Sequence, residues 1–200
     1  MNILIGIIVA LLVAVGIPSC TAVSMQKALV SRDEAVSGAE ARMLSAYKKR
    51  ADLMTNTIAI AEHALGAESK TLKEIVQARA AATSAQVAIP ANATQTDLDK
   101  FAASQAQLSG AFGRLLAITE NYPTLQSVPQ FANAQKELSG VESQCAAARS
   151  QYIKEVAAYN VNVRSFPNSL VAGFLGFRTK PQLQFAEDSK QLQTAPKLFK

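Results

Sequence analysis

Tryptophan is absent from this 200-residue chain; histidine occurs once, cysteine twice and proline seven times. A lone His63 excludes a zinc centre, which needs three or four His, Cys or carboxylate ligands close together. Cys20 lies in an apolar N-terminal run and Cys145 in a late helical stretch, without motif spacing, so an intrachain disulfide is not expected. Charged residues make up 18% of the chain and aromatics 6%, and the net charge of +5 is spread along its length. The one tight basic cluster, Lys48-Lys49-Arg50, is followed closely by Asp52. Nucleic-acid binders concentrate Lys and Arg on one face and interleave aromatics for stacking, so that class is set aside. The chain also lacks a glycine-rich phosphate loop, strand alternation and an internal repeat. No catalytic residue, metal site or cofactor is expected from these patterns.

What the sequence does hold begins at the N-terminus. Ile3–Val23 reads ILIGIIVALLVAVGIPSCTAV, twenty-one residues without a charge, and the first charged side chain is Lys27. That length suffices to cross the hydrocarbon of a bilayer as a helix. Two rival readings stand beside an anchor. A cleaved secretory signal wants a basic n-region, which is missing. A lipoprotein signal would acylate Cys20 in Ile17-Pro18-Ser19-Cys20, although Pro18 departs from the usual residue there. The anchor is the preferred reading. Gly6, Ala10, Ala14 and Gly16 give it close-packing positions suited to lateral assembly. Lys27, Arg32, Arg42, Lys48, Lys49 and Arg50 follow the run, which puts the N-terminus outside and the domain in the cytoplasm.

Beyond the run the periodicity is helical throughout. Leu29, Val36, Met43, Tyr47, Met54, Ile58, Ala61 and Leu65 recur in steps of three, four or seven. Gly66 is a break, and a second helix from about Ser69 to Val87 has an expected inner face of Leu72, Ile75, Val76, Arg79 and Thr83. Pro90–Thr94 reads as a loop, and its Asn92-Ala93-Thr94 sequon is discounted in a cytoplasmic domain. Thr94 or Thr96, with Asp97 or Asp99 three residues on, can cap a third helix. That helix carries Leu98, Phe101, Gln105, Leu108, Phe112, Leu115 and Thr119 and ends before Pro123. The fourth has the longest stripe, from Phe131 through Leu138, Val141, Cys145, Tyr152, Val156 and Tyr159 to Val163. The expected fold is all-α: an N-terminal transmembrane helix followed by an elongated, coiled-coil-like antiparallel bundle of about four long helices. The expected organisation is an anchor over 1–26, a bundle over 27–165, an apolar segment over 166–186 and a polar basic tail over 187–200.

Several segments carry a family resemblance. YKKRADLMTNTI at Tyr47–Ile58, TLKEIVQARAAA at Thr71–Ala82, ITENYPTLQSVPQF at Ile118–Phe131 and the long run Glu137–Phe177 resemble the LemA family of bacterial membrane proteins. The likeness extends from about Val30 to Phe177. This chain has Thr55 where the family often has proline, which implies a straighter first helix, and it ends in the basic APKLFK. The resemblance implies a single-pass protein of the bacterial inner membrane with a cytoplasmic helical bundle and no established enzymatic activity, and no enzyme is expected. It implies a self-associating scaffold or adaptor, some relatives taking part in organising membrane compartments. The bilayer, further copies of the chain and other membrane proteins are the expected partners. The alternative is a ligand-binding protein, or a lipoprotein, that uses a charged bundle interior.

Polar residues in the matching segments are the candidate site: Arg50, Asp52, Asn56, Glu142, Arg149 and Asn160. Arg50 sits at core spacing between Tyr47 and Met54, and antiparallel first and fourth helices would bring it to Glu142. A registry-setting salt-bridge network is the preferred reading, with a site for an acidic peptide or lipid headgroup as the other. His63 lies off its stripe and reads as a surface histidine. Cys145 lies on a stripe and reads as a small buried hydrophobe. Ser165-Phe166-Pro167 should end the fourth helix. The apolar run that follows has two homes. It can cap the bundle by burying Phe166, Phe174 and Phe177, or it can dock on the membrane or a neighbouring subunit through Phe166, Leu170, Val171, Phe174, Leu175 and Phe177.

Overall fold

A computed structural model describes residues 2–65, 70–87, 93–121 and 127–184, with side chains described over 22–63, 73–85, 93–114 and 127–184. The described residues form α1 (Asn2–Leu65), α2 (Lys70–Val87), α3 (Gln95–Asn121), α4 (Pro129–Arg164) and α5 (Asn168–Leu175), with no strand among them. The expected breaks at Gly66, Pro90–Asn92 and Pro123 and the tail over 187–200 lie outside the described residues.

The charge-free run and the first stripe form one helix of 64 residues rather than two. At Thr55 the helix continues, and the threonine hydroxyl donates to the Ala51 carbonyl at 3.0 Å, one turn back. The α1 stripe is buried at Leu29, Val36, Met43, Tyr47, Met54, Ile58 and Ala61. In α2 the expected inner face is rotated. Ile75 and Ala82 are buried and Ala78 and Arg79 half-buried, while Val76 and Thr83 are exposed. Because α2 is rich in alanine, its sequence gives little contrast between faces, and packing against neighbours selects the alanine side.

The start of α3 is set by Thr94 and Asp97. The Asp97 N–H donates to Thr94 Oγ1 at 3.3 Å, and the Asp97 carboxylate accepts from the Thr94 N–H at 2.9 Å and its hydroxyl at 2.7 Å. This reciprocal box satisfies helix-end donors and holds the Asp97 carboxyl below its usual range, the Thr94 side-chain bond being the largest cause. Pro129 opens α4, where its missing N–H costs no intrahelical bond. The Phe131 N–H donates to the Val128 carbonyl at 3.0 Å. After Pro167, α5 runs for eight residues and ends at Gly176, whose φ of 80° is a left-handed conformation that glycine adopts without strain.

Two compact units divide the chain: residues 1–39 with 154–180, and residues 40–153 with 181–200. The second unit holds a core of Met54, Ile58 and Ala61 from α1, Ile75 and Ala82 from α2, Leu108, Ala111 and Phe112 from α3, and Phe131 and Leu138 from α4. Each large side chain buried there contributes roughly 1.5–3 kcal/mol by area removed from water. In the first unit Leu29, Val36, Val156, Tyr159, Val163 and Ala172 are buried. Arg32 pairs with Glu155 at 3.9 Å, and the α4 residues beyond it cluster with 1–39 and not with 40 onward. Within this unit α4 therefore runs antiparallel to α1, toward the N-terminal end of α1.

Candidate functional site

Position 50 falls three residues after Tyr47 and four before Met54, so the α1 periodicity turns an arginine into the core. Arg50 is 2% exposed. Its Nη1 donates to Glu142 Oε1 at 3.0 Å, to Glu142 Oε2 at 3.1 Å and to Ser109 Oγ at 2.8 Å. Its Nη2 donates to the Gln105 carbonyl at 3.2 Å and to the Gln105 side-chain oxygen. Gln105 Nε2 in turn donates to the Ala82 carbonyl at 3.2 Å. One guanidinium thus ties α1 to α3 and α4 directly, and to α2 through Gln105. Its Nε is buried with no hydrogen-bond partner. Arg79 Nε adds a long bond of 3.4 Å from α2 to the Ala51 carbonyl of α1.

Aromatic packing closes one side of this junction. The Arg50 guanidinium lies 4.9 Å from the Tyr47 ring centroid, and that ring meets Phe101 edge-on at 5.1 Å and 90°. Burial pushes the Tyr47 hydroxyl up to about 12, against the lowering charges of Arg149 and Arg50. Burial likewise pushes the free Cys145 thiol up to about 11. Both groups stay neutral at physiological pH, so the surroundings suit packing and not a thiolate nucleophile.

The six polar residues singled out from sequence therefore part company. Arg50 and Glu142 meet. Arg149 is half-buried, and its charge acts on both Tyr47 and Cys145. Asp52 and Asn56 are exposed on α1, because positions two and six beyond Arg50 turn away from the buried stripe. Asn160 belongs to the other unit and has its own partners there. Its side-chain amide donates to the Lys180 carbonyl at 2.8 Å, and its Oδ1 accepts from the Lys180 N–H at 2.8 Å. The Tyr159 hydroxyl donates to the Arg178 carbonyl at 2.9 Å, and Lys180 Nζ reaches Asp33 at 2.9 Å. Gln105 and Ser109 were not among the candidates, although Gln105 carries a sequence signal as a polar residue at core spacing. His63 is exposed, beside a groove with Ala59, Ile60, Val128 and Gln130. Among the described residues no group of three or more His, Cys, Asp or Glu is placed to hold a metal ion.

The segment after α4 departs from the capping alternative. Phe166 is 81% exposed and Phe174 91%, while Ala172 is the buried residue of α5. Leu170 and Leu175 are exposed too, and Val171 and Phe177 are half-buried. The helix turns its small face inward and its large side chains outward. The reason lies in the clasp: with Arg178 and Lys180 bonded to Tyr159 and Asn160, α5 is held at one rotation.

The side chain of Cys20 lies outside the described residues. Among the described residues no helix is long and apolar enough to cross a membrane, and the side chains of 2–21, most of the charge-free run, are outside them.

The LemA family model matches residues 39–198, four-fifths of the chain. The chain belongs to the LemA family. It is similar to Magnetosome protein MamQ 1 and Magnetosome protein MamQ 2 of Paramagnetospirillum magneticum, each 30% identical over 89 residues, 44% of this chain and 33% of the relative. It is also similar to Magnetosome protein MamQ of Magnetospirillum gryphiswaldense, 35% identical over 68 residues, 34% of this chain and 25% of the relative. The matches thus span a third or less of the length of these curated relatives. In this LemA-family chain the Arg50 junction, the Asn160 clasp and α5 all fall inside the span of the family match.

Proposed function

We propose that the chain is a membrane-anchored, non-enzymatic scaffold of the bacterial inner membrane, with its N-terminus outside and its helical units in the cytoplasm. One observation carries this reading: the charge-free run Ile3–Val23 is the first part of a helix that continues without interruption to Leu65. Membership of the LemA family supports the reading, as do relatives named for the magnetosome. The scaffold self-associates in the plane of the membrane, with Gly6, Ala10, Ala14 and Gly16 allowing close approach of spans. Within each copy the Arg50–Glu142 pair sets the register of the helices.

Alkaline carbonate extraction of membranes from expressing cells tests the anchor. The chain is expected in the pellet, and release into the supernatant overturns the reading. Terminal reporter fusions test orientation, with a C-terminal reporter expected to be active only in the cytoplasm. Cross-linking in intact membranes tests assembly, and a purely monomeric pattern removes the self-associating scaffold. Intact-mass measurement of extracted protein distinguishes an unmodified span from a chain cleaved and acylated at Cys20.

A further inference from the structure

Every exposed large hydrophobic among the described residues except Val76 lies in the unit formed by 1–39 and 154–180. Within it, Leu170 and Phe174 lie one turn apart on α5 and are 67% and 91% exposed, and Phe166, just before the helix, is 81% exposed. Such a stripe is the face a helix ordinarily buries. This one is held outward. Gly176 turns the chain back with the Phe177 N–H on the Ala172 carbonyl at 2.9 Å, and Asn160 and Tyr159 then fix Lys180 and Arg178.

The level of this stripe along α1 can be read from the register. Arg32 pairs with Glu155, and α4 runs antiparallel to α1 in this unit. Ser165 lies ten residues beyond Glu155, so α4 ends about level with residue 22 of α1, some 15 Å from the ion pair at ~1.5 Å per residue. Residue 22 is where the charge-free run Ile3–Val23 gives out, and Val23 itself is half exposed. Charge agrees with this level. Between Val156 and Lys180 there is no Asp or Glu, while Arg164 and Arg178 are exposed.

We propose that α5 is an in-plane membrane helix: Phe166, Leu170 and Phe174 enter the headgroup–acyl boundary of the leaflet from which α1 emerges, with Arg164 and Arg178 against anionic headgroups. An apolar face flanked by cations on a helix parallel to the surface is the pattern of interfacial binding. The partner of this face is lipid, which rests on the anchored reading above.

The absence of tryptophan makes the test direct, since any introduced indole is the sole one. Full-length Phe174→Trp is reconstituted in vesicles of phosphatidylcholine with one quarter phosphatidylglycerol, carrying bromine either high or low on the acyl chains. Trp at position 174 is expected to emit blue-shifted and to lose most of its intensity to the shallow bromine and little to the deep one. Val76→Trp, on the exposed face of α2, is expected to emit as a solvated indole with neither bromine quenching it. Emission from position 174 at the solvated wavelength overturns the proposal. So does a blue shift without bromine quenching, which assigns the face to a second copy of the chain. Ala10→Trp separates the two readings. Deep quenching at position 10 with none at 174 removes the interfacial helix alone, whereas no quenching at position 10 removes the anchor itself.

Discussion

Both carboxylate oxygens of Glu142 face a single nitrogen of Arg50, at 3.0 and 3.1 Å, across 92 residues of sequence. The two ends of this pair are unequal. The Arg50 side chain is 3% exposed and that of Glu142 31%, so solvent screens the acid and not the base.

Removing either partner should therefore have different consequences. Glu142→Ala leaves a buried guanidinium short of its counter-charge and is expected to cost about 2–3 kcal/mol, below the ~3–5 kcal/mol of a fully buried pair. Arg50→Met leaves Glu142 free to hydrate and should cost less by that route, with loss of the Gln105 and Ser109 bonds added. The double variant should cost less than the sum of the two. Thermal and denaturant unfolding in detergent measure all three, and strict additivity would show that the pair is not coupled.

High pH provides a second check. Burial raises the hydroxyls of Tyr47 and Tyr152 to about 12, with the Glu40 charge adding to the effect at Tyr152. The unfolded chain releases these protons near pH 10, whereas the folded chain retains them. Folding stability is thus undiminished below about pH 10 and falls as pH rises toward 12. Tyr47→Phe and Tyr152→Phe together should flatten that fall, as read by unfolding temperature against pH.

Cys145 should be chemically silent in the folded protein. Its thiol is buried and raised to about 11 by that burial, so little thiolate is present or accessible at neutral pH. In a Cys20→Ser background, alkylation at neutral pH is expected only at the rate of unfolding, and labelling should accelerate sharply through the denaturant transition. Fast labelling under native conditions would contradict a packed α4 stripe.

The clasp after α5 hangs on one amide. Asn160→Leu removes two 2.8 Å bonds to Lys180, at a cost of about 1–3 kcal/mol, or roughly fivefold to 150-fold in a local opening equilibrium. Exchange of the Lys180 amide, which Asn160 holds, should speed by that factor while exchange around Met54 and Leu138 stays unchanged. Equal acceleration everywhere would mean that the clasp and the main core open together.

Much of this architecture is written locally. A 3.6-residue period requires only near neighbours, so the stripes of α1, α3 and α4 are readable in Leu29–Ala61, Leu98–Phe112 and Phe131–Val163, with Arg50 plainly at core spacing among them. Thr94-x-x-Asp97 encodes its own cap for the same reason, and Ser165-Phe166-Pro167 its own break. Tertiary structure decided the rest, wherever a residue's role depends on a partner distant in sequence. It turned Ala82 inward and Val76 outward on a helix whose alanines offer little contrast, left Asp52 and Asn56 in solvent, and recruited Gln105 and Ser109 to Arg50. Most of all it decided α5. Composition alone would bury Phe174, but Asn160 and Tyr159 grip the backbone that follows and fix the helix with Ala172 inward and Phe174 outward.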